Sequence, residues 1–192
     1  MLRGLIFDMD GTLVDSRLDF AAMRQETGCP ADMGLLEFAD TLGKGQRTDV
    51  MAIIRRHELA GAERAQWMPG ADAFLQRAAR HGLPLAIVTR NSREVSELTF
   101  AKLGADPLYL VTREDAAPKP DPAGLQKVAS HWQIDAAHLA YVGDFVFDLE
   151  AAHNAGMEAI LYLQPKNRGY ADRADRTFAH FDELAEQLAI AP

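Results

Sequence analysis

Two aspartates separated by one residue, Asp8 and Asp10, follow a short apolar run in the stretch FDMDGT near the start of the sequence. In an extended chain, residues two apart point the same way, so both carboxylates face one spot. Two neighbouring anions are costly unless a cation lies with them or one of them holds a proton. The spacing therefore predicts a functional site that binds a cation or transfers a proton.

Three further segments carry polar residues where an apolar run ends or a helical pattern begins. Thr89 ends the run PLAIVT, Lys119 lies in the proline-flanked segment APKPDP, and Asp144 and Asp148 lie in GDFVFD. Taken singly, an aspartate after a strand is often a turn former or a helix N-cap, and a lysine between prolines is usually solvated. Together with the first motif, however, these residues form an ordered set, and the set indicates an active site at one edge of a sheet.

Short apolar runs alternate with amphipathic helical patterns over most of the chain. The predicted strands are Leu2–Asp8, Pro84–Thr89, Leu108–Val111, Leu139–Gly143 and Glu158–Tyr162. The predicted helices of this part are Ala71–His81, Arg93–Leu103, Ala123–Trp132, Phe147–Ala155 and Glu183–Leu188. Such alternation is typical of an α/β fold, in which helices cover both faces of a parallel sheet.

The connection after the first predicted strand is unusually long and contains no convincing strand. Its helical patterns lie at Leu18–Glu26, at Leu35–Leu42 and near Thr48–Gln66. A connection of this length is expected to be functional or to form a lobe of its own. We therefore predict a small α-helical cap, residues 16–68, inserted after strand one into an α/β core formed by residues 1–15 and 69–192.

Composition and charge exclude several classes of partner. The chain has 192 residues, of which 28 are acidic and 20 basic, and its formal net charge of −8 disfavours nucleic acid and anionic membranes. No apolar run approaches the ~20 residues of a membrane span, and the first residues do not resemble a signal peptide. The single cysteine, Cys29, excludes an internal disulfide. We expect a cytoplasmic monomer or homodimer with no nucleic-acid or membrane partner.

The ordered motifs DMDGTLVDS, Thr89, KPDP and GDFVFD resemble those of the haloacid dehalogenase-like hydrolase superfamily. Within it, the chain is similar to the phosphoglycolate-phosphatase-like members that carry a helical cap after the first motif. The resemblance spans the whole chain, and the first motif is its most specific part. It implies a Rossmann-like parallel core, an active site between core and cap, and a phosphatase that acts on a small phosphorylated metabolite.

The resemblance also implies roles for the four aspartates. Asp8 is the implied nucleophile, which forms an aspartyl-phosphate, and Asp10 is the implied general acid and base. A carboxylate can approach a phosphate dianion only if a cation neutralises part of the negative charge, so Mg²⁺ is the implied cofactor. Its implied ligands are the Asp8 side chain, the Asp10 backbone carbonyl and Asp144, with Asp148 in support. Phe145 departs from the family pattern, in which Ser or Thr is frequent after Gly-Asp.

Other residues are candidates for holding the phosphate ester. Thr89 and Lys119 belong to the implied catalytic set because they can donate a hydrogen bond or a positive charge to the phosphoryl group. Asn91 with Glu94 is interpreted as a helix N-terminal capping box, which would bring a helix N-terminus to the phosphate. The remaining candidates are Thr12 and Arg90 in the core and Arg17, Lys44 and Arg47 in the cap. For Arg90, Lys44 and Arg47, ordinary surface charge is an open alternative.

Rival functions within the same fold need different residues. The superfamily's dehalogenases lack the second aspartate and need no metal, so Asp10 and Asp144 argue against that activity. A phosphosugar mutase shares the chemistry but passes the phosphoryl group to a sugar, and the short cap favours water as the acceptor. A non-catalytic binding or regulatory module is expected to lose the nucleophile or a metal ligand, and the sequence keeps both.

Overall fold

A six-stranded parallel sheet forms the centre of the protein, which a computed structural model describes over residues 2–105 and 108–190. From one edge to the other, its strands are Tyr109–Val111 (β5), Leu85–Val88 (β4), Gly4–Phe7 (β1), Leu139–Gly143 (β6), Glu158–Tyr162 (β7) and Arg176–Phe178 (β8). The chain builds outwards from β1 through β4 to β5, then crosses back to β6 on the other side of β1. The strand order therefore reverses between β1 and β6, which is where doubly wound sheets bind ligands.

Helices cover both faces of this sheet, as predicted for an α/β fold. They are Ala71–Arg80 (α4), Arg93–Leu103 (α5), Ala123–Trp132 (α6), Val146–Ala155 (α7) and Phe181–Gln187 (α8), with 3₁₀ segments at Ala136–His138 and Pro165–Arg173. Side chains alternate across β1, so Phe7 packs with Phe74 of α4 on one face and Ile6 packs with Leu125 of α6 on the other. Ile6 and Phe7 are both fully buried.

The segment 16–68, which we call the cap, contains Phe20–Thr27 (α1), Leu35–Thr41 (α2) and Lys44–Arg64 (α3). Asp19 is the N-cap of α1, where its carboxylate accepts a hydrogen bond from the amide of Ala22, and Gly28 in the left-handed conformation is the C-cap. The cap has a hydrophobic cluster of its own, formed by Met23, Cys29, Leu35, Ala39, Val50 and Ile54. This cluster is separate from the two clusters that flank the sheet.

The sequence patterns do not predict three short strands. Val14–Asp15 (β2) and Gln66–Trp67 (β3) pair in antiparallel fashion and bring the two ends of the cap together. Each has two residues, too few to show any period, so the expectation of no strand between residues 16 and 68 is wrong at β3. The third, Arg176–Phe178, is a three-residue strand at the edge of the main sheet. All five predicted core strands are present.

Helix boundaries shift most at α3. The helix begins at Lys44 rather than near Thr48, because Gly43 in extended conformation is its N-cap and the segment GKGQ continues into helix. This places Lys44 and Arg47 in the first turns of a long helix rather than in a connecting loop. Within the described residues, no helix has the length and apolarity needed to cross a bilayer.

Ion pairs between α3 and the core differ sharply in burial. Arg55 donates to Glu94 of α5 at 2.6 and 2.9 Å, and the two side chains are 53% and 49% exposed. Arg113, which follows β5, donates to Glu58 at 2.7 and 3.1 Å, and these side chains are 13% and 7% exposed. The structure thus offers a buried and an exposed pair that join the same helix to the core.

Arg113→Met should destabilise the protein more than Arg55→Met, although each substitution removes one such pair. Without Arg113, the carboxylate of Glu58 stays buried and loses its cation, which costs about 3–5 kcal/mol. Without Arg55, Glu94 remains in water, and exposed pairs contribute about 0–1 kcal/mol. Urea unfolding of both variants measures the two losses in the free energy of unfolding. Equal losses would contradict this difference.

The loss caused by Arg113→Met should also depend on pH. Burial raises the pKa of Glu58, Arg113 opposes this rise, and the charges of Asp10 and Glu114 add to it. A carboxyl whose pKa is raised on folding stabilises the protein below its unfolded pKa, and this stabilisation is lost as pH rises through the folded pKa. Removing Arg113 raises the folded pKa further, so the loss should be largest at neutral pH and shrink towards acid pH. Unfolding across a pH series measures this trend.

Candidate active site

The first motif turns sharply at the end of β1. The amide of Asp8 donates to the carbonyl of Val142 at 2.8 Å, so Asp8 still follows the sheet. Gly11 has a φ of 78°, and a Cβ at this position would lie 2.6 Å from Oδ2 of Asp144. Only glycine fits both the backbone conformation and the close approach. The turn places Asp8 and Asp10 in one cavity, as the sequence predicts.

Lys119 lies between two of the predicted carboxylates. Its Nζ donates to Oδ1 of Asp8 and to Oδ1 of Asp148, both at 2.6 Å, and to the hydroxyl of Tyr141 at 2.8 Å. The Tyr141 hydroxyl in turn donates to the carbonyl of Val88 in β4. Burial lowers the pKa of Lys119, but Asp148 and Asp8 more than offset this effect, so its pKa is raised. The lysine is therefore a fixed cation beside the proposed nucleophile.

The GDFVFD segment folds back on the end of β6. Oδ2 of Asp148, in the first turn of α7, accepts hydrogen bonds from the amides of Asp144 at 3.1 Å and Phe145 at 2.9 Å. A Cβ on Gly143 would lie 2.3 Å from atoms of Asp148, so the glycine is needed for this approach. The contacts bring Asp144 and Asp148 together beside Asp8.

The carboxylates fit a hard divalent cation. Oxygens of Asp8, Asp144 and Asp148 lie within 4.8 Å of one another, and all three residues are buried. Burial raises the pKa of Asp144, with Asp148 adding to the rise and Lys166 opposing it. Burial likewise raises the pKa of Asp8 well above its usual value, against the opposing effect of Lys119. Lys119 and Lys166 supply two positive charges to these three carboxylates. Closely spaced carboxylate oxygens are the ligands that Mg²⁺ prefers.

Asp10 differs from its neighbours in its hydrogen bonds. The side-chain amide of Asn91 donates to its Oδ2, whereas its Oδ1 is buried and has no hydrogen-bond partner among the described residues. Burial raises the pKa of Asp10, and hydrogen bonds from Ser16 and Asn91 oppose the rise. An unpartnered carboxyl oxygen in the interior favours the protonated form. Asp10 is thus suited to hold and release a proton.

The predicted capping box at Asn91 is wrong. Ser92 is the N-cap of α5, and its Oγ accepts from the amide of Val95 at 3.3 Å. Asn91 cannot take this place because its side chain donates to Asp10, and Glu94 pairs with Arg55 instead. Asn91 nevertheless lines the cavity, through a contact that the sequence pattern did not indicate.

The two predicted threonines lie in different environments. Thr89 lines the cavity at the end of β4, and its Oγ1 accepts from the amide of Asn91 at 3.1 Å. Since that contact uses an acceptor position of the hydroxyl, its proton remains available to a ligand. Thr12 is fully buried behind the turn, and its hydroxyl has no partner within the described ranges.

The charged candidates divide into those at the cavity and those away from it. Arg90 lines the cavity, donates to Glu37 of α2, and lies 5.6 Å from the centroid of the Phe147 ring. Arg17 also lines the cavity. Lys44 and Arg47 do not lie among the lining residues, both are exposed, and Arg47 pairs with Asp40 at 3.0 Å. The structure therefore brings Arg90 and Arg17 to the site but not Lys44 and Arg47.

The cavity has a volume of about 690 Å³ and is lined by both core and cap. The sequence patterns do not indicate Lys166 and Asn167, which line it, or Tyr141, which accepts a hydrogen bond from Lys119. Asn167 donates to the carbonyls of Asp144 at 2.7 Å and Tyr162 at 2.9 Å, and Lys166 pairs with Asp144 at 2.9 Å. No motif marks the 3₁₀ segment that carries them. Tyr141 did offer a signal, because a hydroxyl in a buried strand needs a polar partner.

Comparisons with known proteins identify the family of the chain. The model of the haloacid dehalogenase-like hydrolase family matches residues 2–156. The phosphoglycolate phosphatase of Xanthomonas campestris pv. campestris (strain 8004) is 30% identical over 184 residues, covering 84% of this chain and 83% of the relative.

Solved structures confirm the fold. A hydrolase from Pseudomonas syringae has a TM-score of 0.82 at 21% identity, covering 98% of both chains. A predicted phosphoglycolate phosphatase from Haemophilus somnus 129pt has a TM-score of 0.78 at 20% identity, covering 97% of this chain and 98% of the other. The chain therefore belongs to the haloacid dehalogenase-like hydrolases, in the branch similar to phosphoglycolate phosphatases, and is a phosphoric monoester hydrolase.

Proposed function

We propose that the protein hydrolyses a small phosphorylated metabolite with the help of Mg²⁺ and through an aspartyl-phosphate on Asp8. The contact that carries this proposal is the bridge from Lys119 to Asp8 and Asp148, at 2.6 Å each, with Asp144 beside it. A dehalogenase site needs no such cluster of carboxylates. A non-catalytic module would have no reason to keep the nucleophile, the lysine and the acidic cluster in one cavity.

Mg²⁺ would be held by the Asp8 side chain, the Asp10 carbonyl and Asp144, with Asp148 in support. When bound, it supplies the positive charge that lets a phosphate dianion approach a carboxylate. Lys119, which donates to Asp8, would add a second positive charge beside the nucleophile. The Thr89 hydroxyl donates to a phosphoryl oxygen, and this contact orients the phosphorus towards Asp8.

The chemistry of the chain's own residues runs in two steps. An oxygen of Asp8 forms a bond to phosphorus while the bond from phosphorus to the ester oxygen breaks, and Asp10 gives its proton to the departing alkoxide. Asp10, now a carboxylate, takes a proton from water as the water oxygen attacks the same phosphorus. The bond from phosphorus to the Asp8 oxygen breaks in this second step, which releases phosphate and restores both aspartates. The raised pKa of Asp10 suits the first step, in which it acts as an acid.

The substrate of the relatives makes 2-phosphoglycolate one candidate for this chain. The name of the Xanthomonas relative states that activity for that protein. The cavity encloses the site from the cap side, so the cap residues that line it should select the ester. Lys44 and Arg47 lie outside that lining, and we therefore place selectivity with other cap residues, which include Arg17.

Removal of divalent metal should lower the rate on 4-nitrophenyl phosphate by at least about 100-fold, because several kcal/mol of charge stabilisation are lost. Protein treated with EDTA and then dialysed should regain its rate when Mg²⁺ is added. The measurement is the initial rate of nitrophenol release as Mg²⁺ is titrated in. An unchanged rate after metal removal would contradict the proposed dependence.

A pair of variants tests whether the metal binds at the predicted carboxylates. Asp144→Asn should raise the Mg²⁺ concentration needed for half of the maximal rate, because one anionic ligand is lost. Asp72→Asn is the matched control, since Asp72 is an exposed aspartate in the first turn of α4 and does not line the cavity. Equal metal requirements in the two variants would remove Asp144 from the ligand set.

A further inference from the structure

We propose that the leaving group of the substrate is an uncharged apolar group, about the size of one ring. It would be held between the cap and an aromatic corner beside Asp144, formed by Phe145, Phe147 and Tyr170. This inference rests on the proposed phosphatase function and names the class of its substrate. It follows from two features of the cavity, the apolar character of its lining and the engagement of its cations.

The cap side of the cavity is largely apolar. Its apolar lining residues include Leu18, Phe20, Met23, Met33, Leu36 and Ile54. Phe20, the first residue of α1, is 54% exposed although it faces the cavity that contains the carboxylates. A large ring left in water is favourable to cover, and an apolar ligand in the cavity would cover it.

An aromatic corner stands on the core side of the same cavity. Phe145, directly after Asp144, is 46% exposed and meets Phe147 and Tyr170 edge to face, at centroid distances of 5.2 and 5.7 Å. All three rings line the cavity. Among the described residues, the large exposed hydrophobic side chains are Phe20, Phe145 and Leu98, and two of these three border the proposed active site. This placement indicates a surface for an apolar group.

A leaving group with its own carboxylate would instead need an available cation. Arg90 contacts the aromatic corner, and its charge is engaged by Glu37 and by the face of Phe147. Arg17 donates to Gln66 at 2.9 Å and lies 3.6 Å from a carboxylate oxygen of Asp15. These cavity cations are already neutralised or bonded.

Arg24 is a cavity cation whose guanidinium donates to backbone carbonyls. It lines the cavity, but its Nη1 donates to the carbonyls of Pro30 and Met33, which ties down the loop after α1. Carbonyls satisfy its hydrogen bonds without cancelling its charge. If the leaving group were anionic, Arg24 would be the residue to bind it, and its removal would abolish the preference.

Three primary alkyl phosphates separate these alternatives, because all share the same reacting CH₂–O–P unit. They are ethyl phosphate, 2-phenylethyl phosphate and 2-phosphoglycolate, each assayed by phosphate release with saturating Mg²⁺. We expect kcat/KM for 2-phenylethyl phosphate to exceed that for ethyl phosphate by about tenfold or more, from burial of one ring. We expect kcat/KM for 2-phosphoglycolate to be no higher than that for ethyl phosphate.

A truncated ring tests the assigned surface. Phe20→Ala should lower the ratio of kcat/KM for 2-phenylethyl phosphate to that for ethyl phosphate by about fivefold to tenfold. Leu98→Ala is the matched control, because Leu98 is 49% exposed, lies on α5 and does not line the cavity, and it should leave the ratio unchanged. A ratio unaffected by Phe20→Ala would overturn the assignment of this surface.

The outcomes also separate this inference from the phosphatase proposal. Preference for 2-phosphoglycolate, lost in Arg24→Gln, would overturn the apolar leaving group and leave the phosphatase proposal standing. Release of phosphate from none of the esters in the presence of Mg²⁺ would contradict both. Preference for 2-phenylethyl phosphate that falls in Phe20→Ala and persists in Leu98→Ala supports both.

Discussion

Asp8→Asn should reduce turnover by on the order of 10⁴-fold or more, because an amide cannot form the acyl-phosphate bond. The substitution keeps the shape of the side chain and removes only its charge. Lys119 keeps Asp148 and Tyr141 as hydrogen-bond partners, so the cation stays in place. The measurement is phosphate release from 4-nitrophenyl phosphate and from an alkyl ester at saturating Mg²⁺.

Two controls separate loss of chemistry from loss of fold in this variant. Thermal unfolding of Asp8→Asn should remain close to that of the unmodified protein, since burial already disfavours the charged form of Asp8. Asp72→Asn provides the same chemical change on an exposed helix and should retain full turnover. Substantial turnover in Asp8→Asn would mean that a different residue attacks phosphorus.

The parts of the site that the sequence predicts are those with a local pattern. The buried run before Asp8 and the two-residue spacing to Asp10 place both carboxylates at the end of β1. Thr89 and Asp144 follow β4 and β6, the two neighbours of β1, because parallel strands bring their carboxyl ends to one edge. Strand period and strand order are therefore enough to assemble the carboxylates in outline.

The missed parts depend on how distant segments pack. Tyr141 places a hydroxyl in a buried strand, but its partner depends on packing, because Lys119 comes from another loop to donate to it. Asn167 becomes structural only because the 3₁₀ segment packs against the ends of β6 and β7. Two-residue strands and the capping of α5 by Ser92 rather than Asn91 have the same origin. In each case, tertiary contacts decide what the local pattern leaves open.

The cap shows this limit most clearly. Helical patterns predict all three cap helices, but they do not determine which face of each helix meets the core. Of the cap residues that charge alone indicates, Arg17 lines the cavity, whereas Lys44 and Arg47 lie away from it. Phe20, an apolar residue with no chemistry of its own, lines it as well. Charge alone therefore does not determine which cap residues face the site.

Asp10→Asn should slow turnover of alkyl phosphates by about 10²–10⁴-fold, the usual contribution of a positioned acid or base. The backbone carbonyl of residue 10 is unchanged, so the Mg²⁺ requirement should stay close to that of the unmodified protein. What the variant loses is the proton for the leaving alkoxide and the base for the attacking water. The phenolate of an aryl phosphate leaves readily without a proton, so transfer of phosphate from aryl esters to Asp8 should slow least.

The same variant should accumulate the phosphoenzyme. With an aryl phosphate, Asp10→Asn should release a burst of phenol equal to the amount of enzyme and then stall, because water is no longer activated. Acid quenching should recover phosphate bound covalently to the protein, and the double variant Asp8→Asn with Asp10→Asn should bind none. Equal slowing of aryl and alkyl esters, with no trapped phosphate, would remove Asp10 from the acid–base role. The unpartnered Oδ1 of Asp10 would then be explained by burial alone, and Thr12, whose buried hydroxyl also lacks a partner among the described residues, would be the next residue to test.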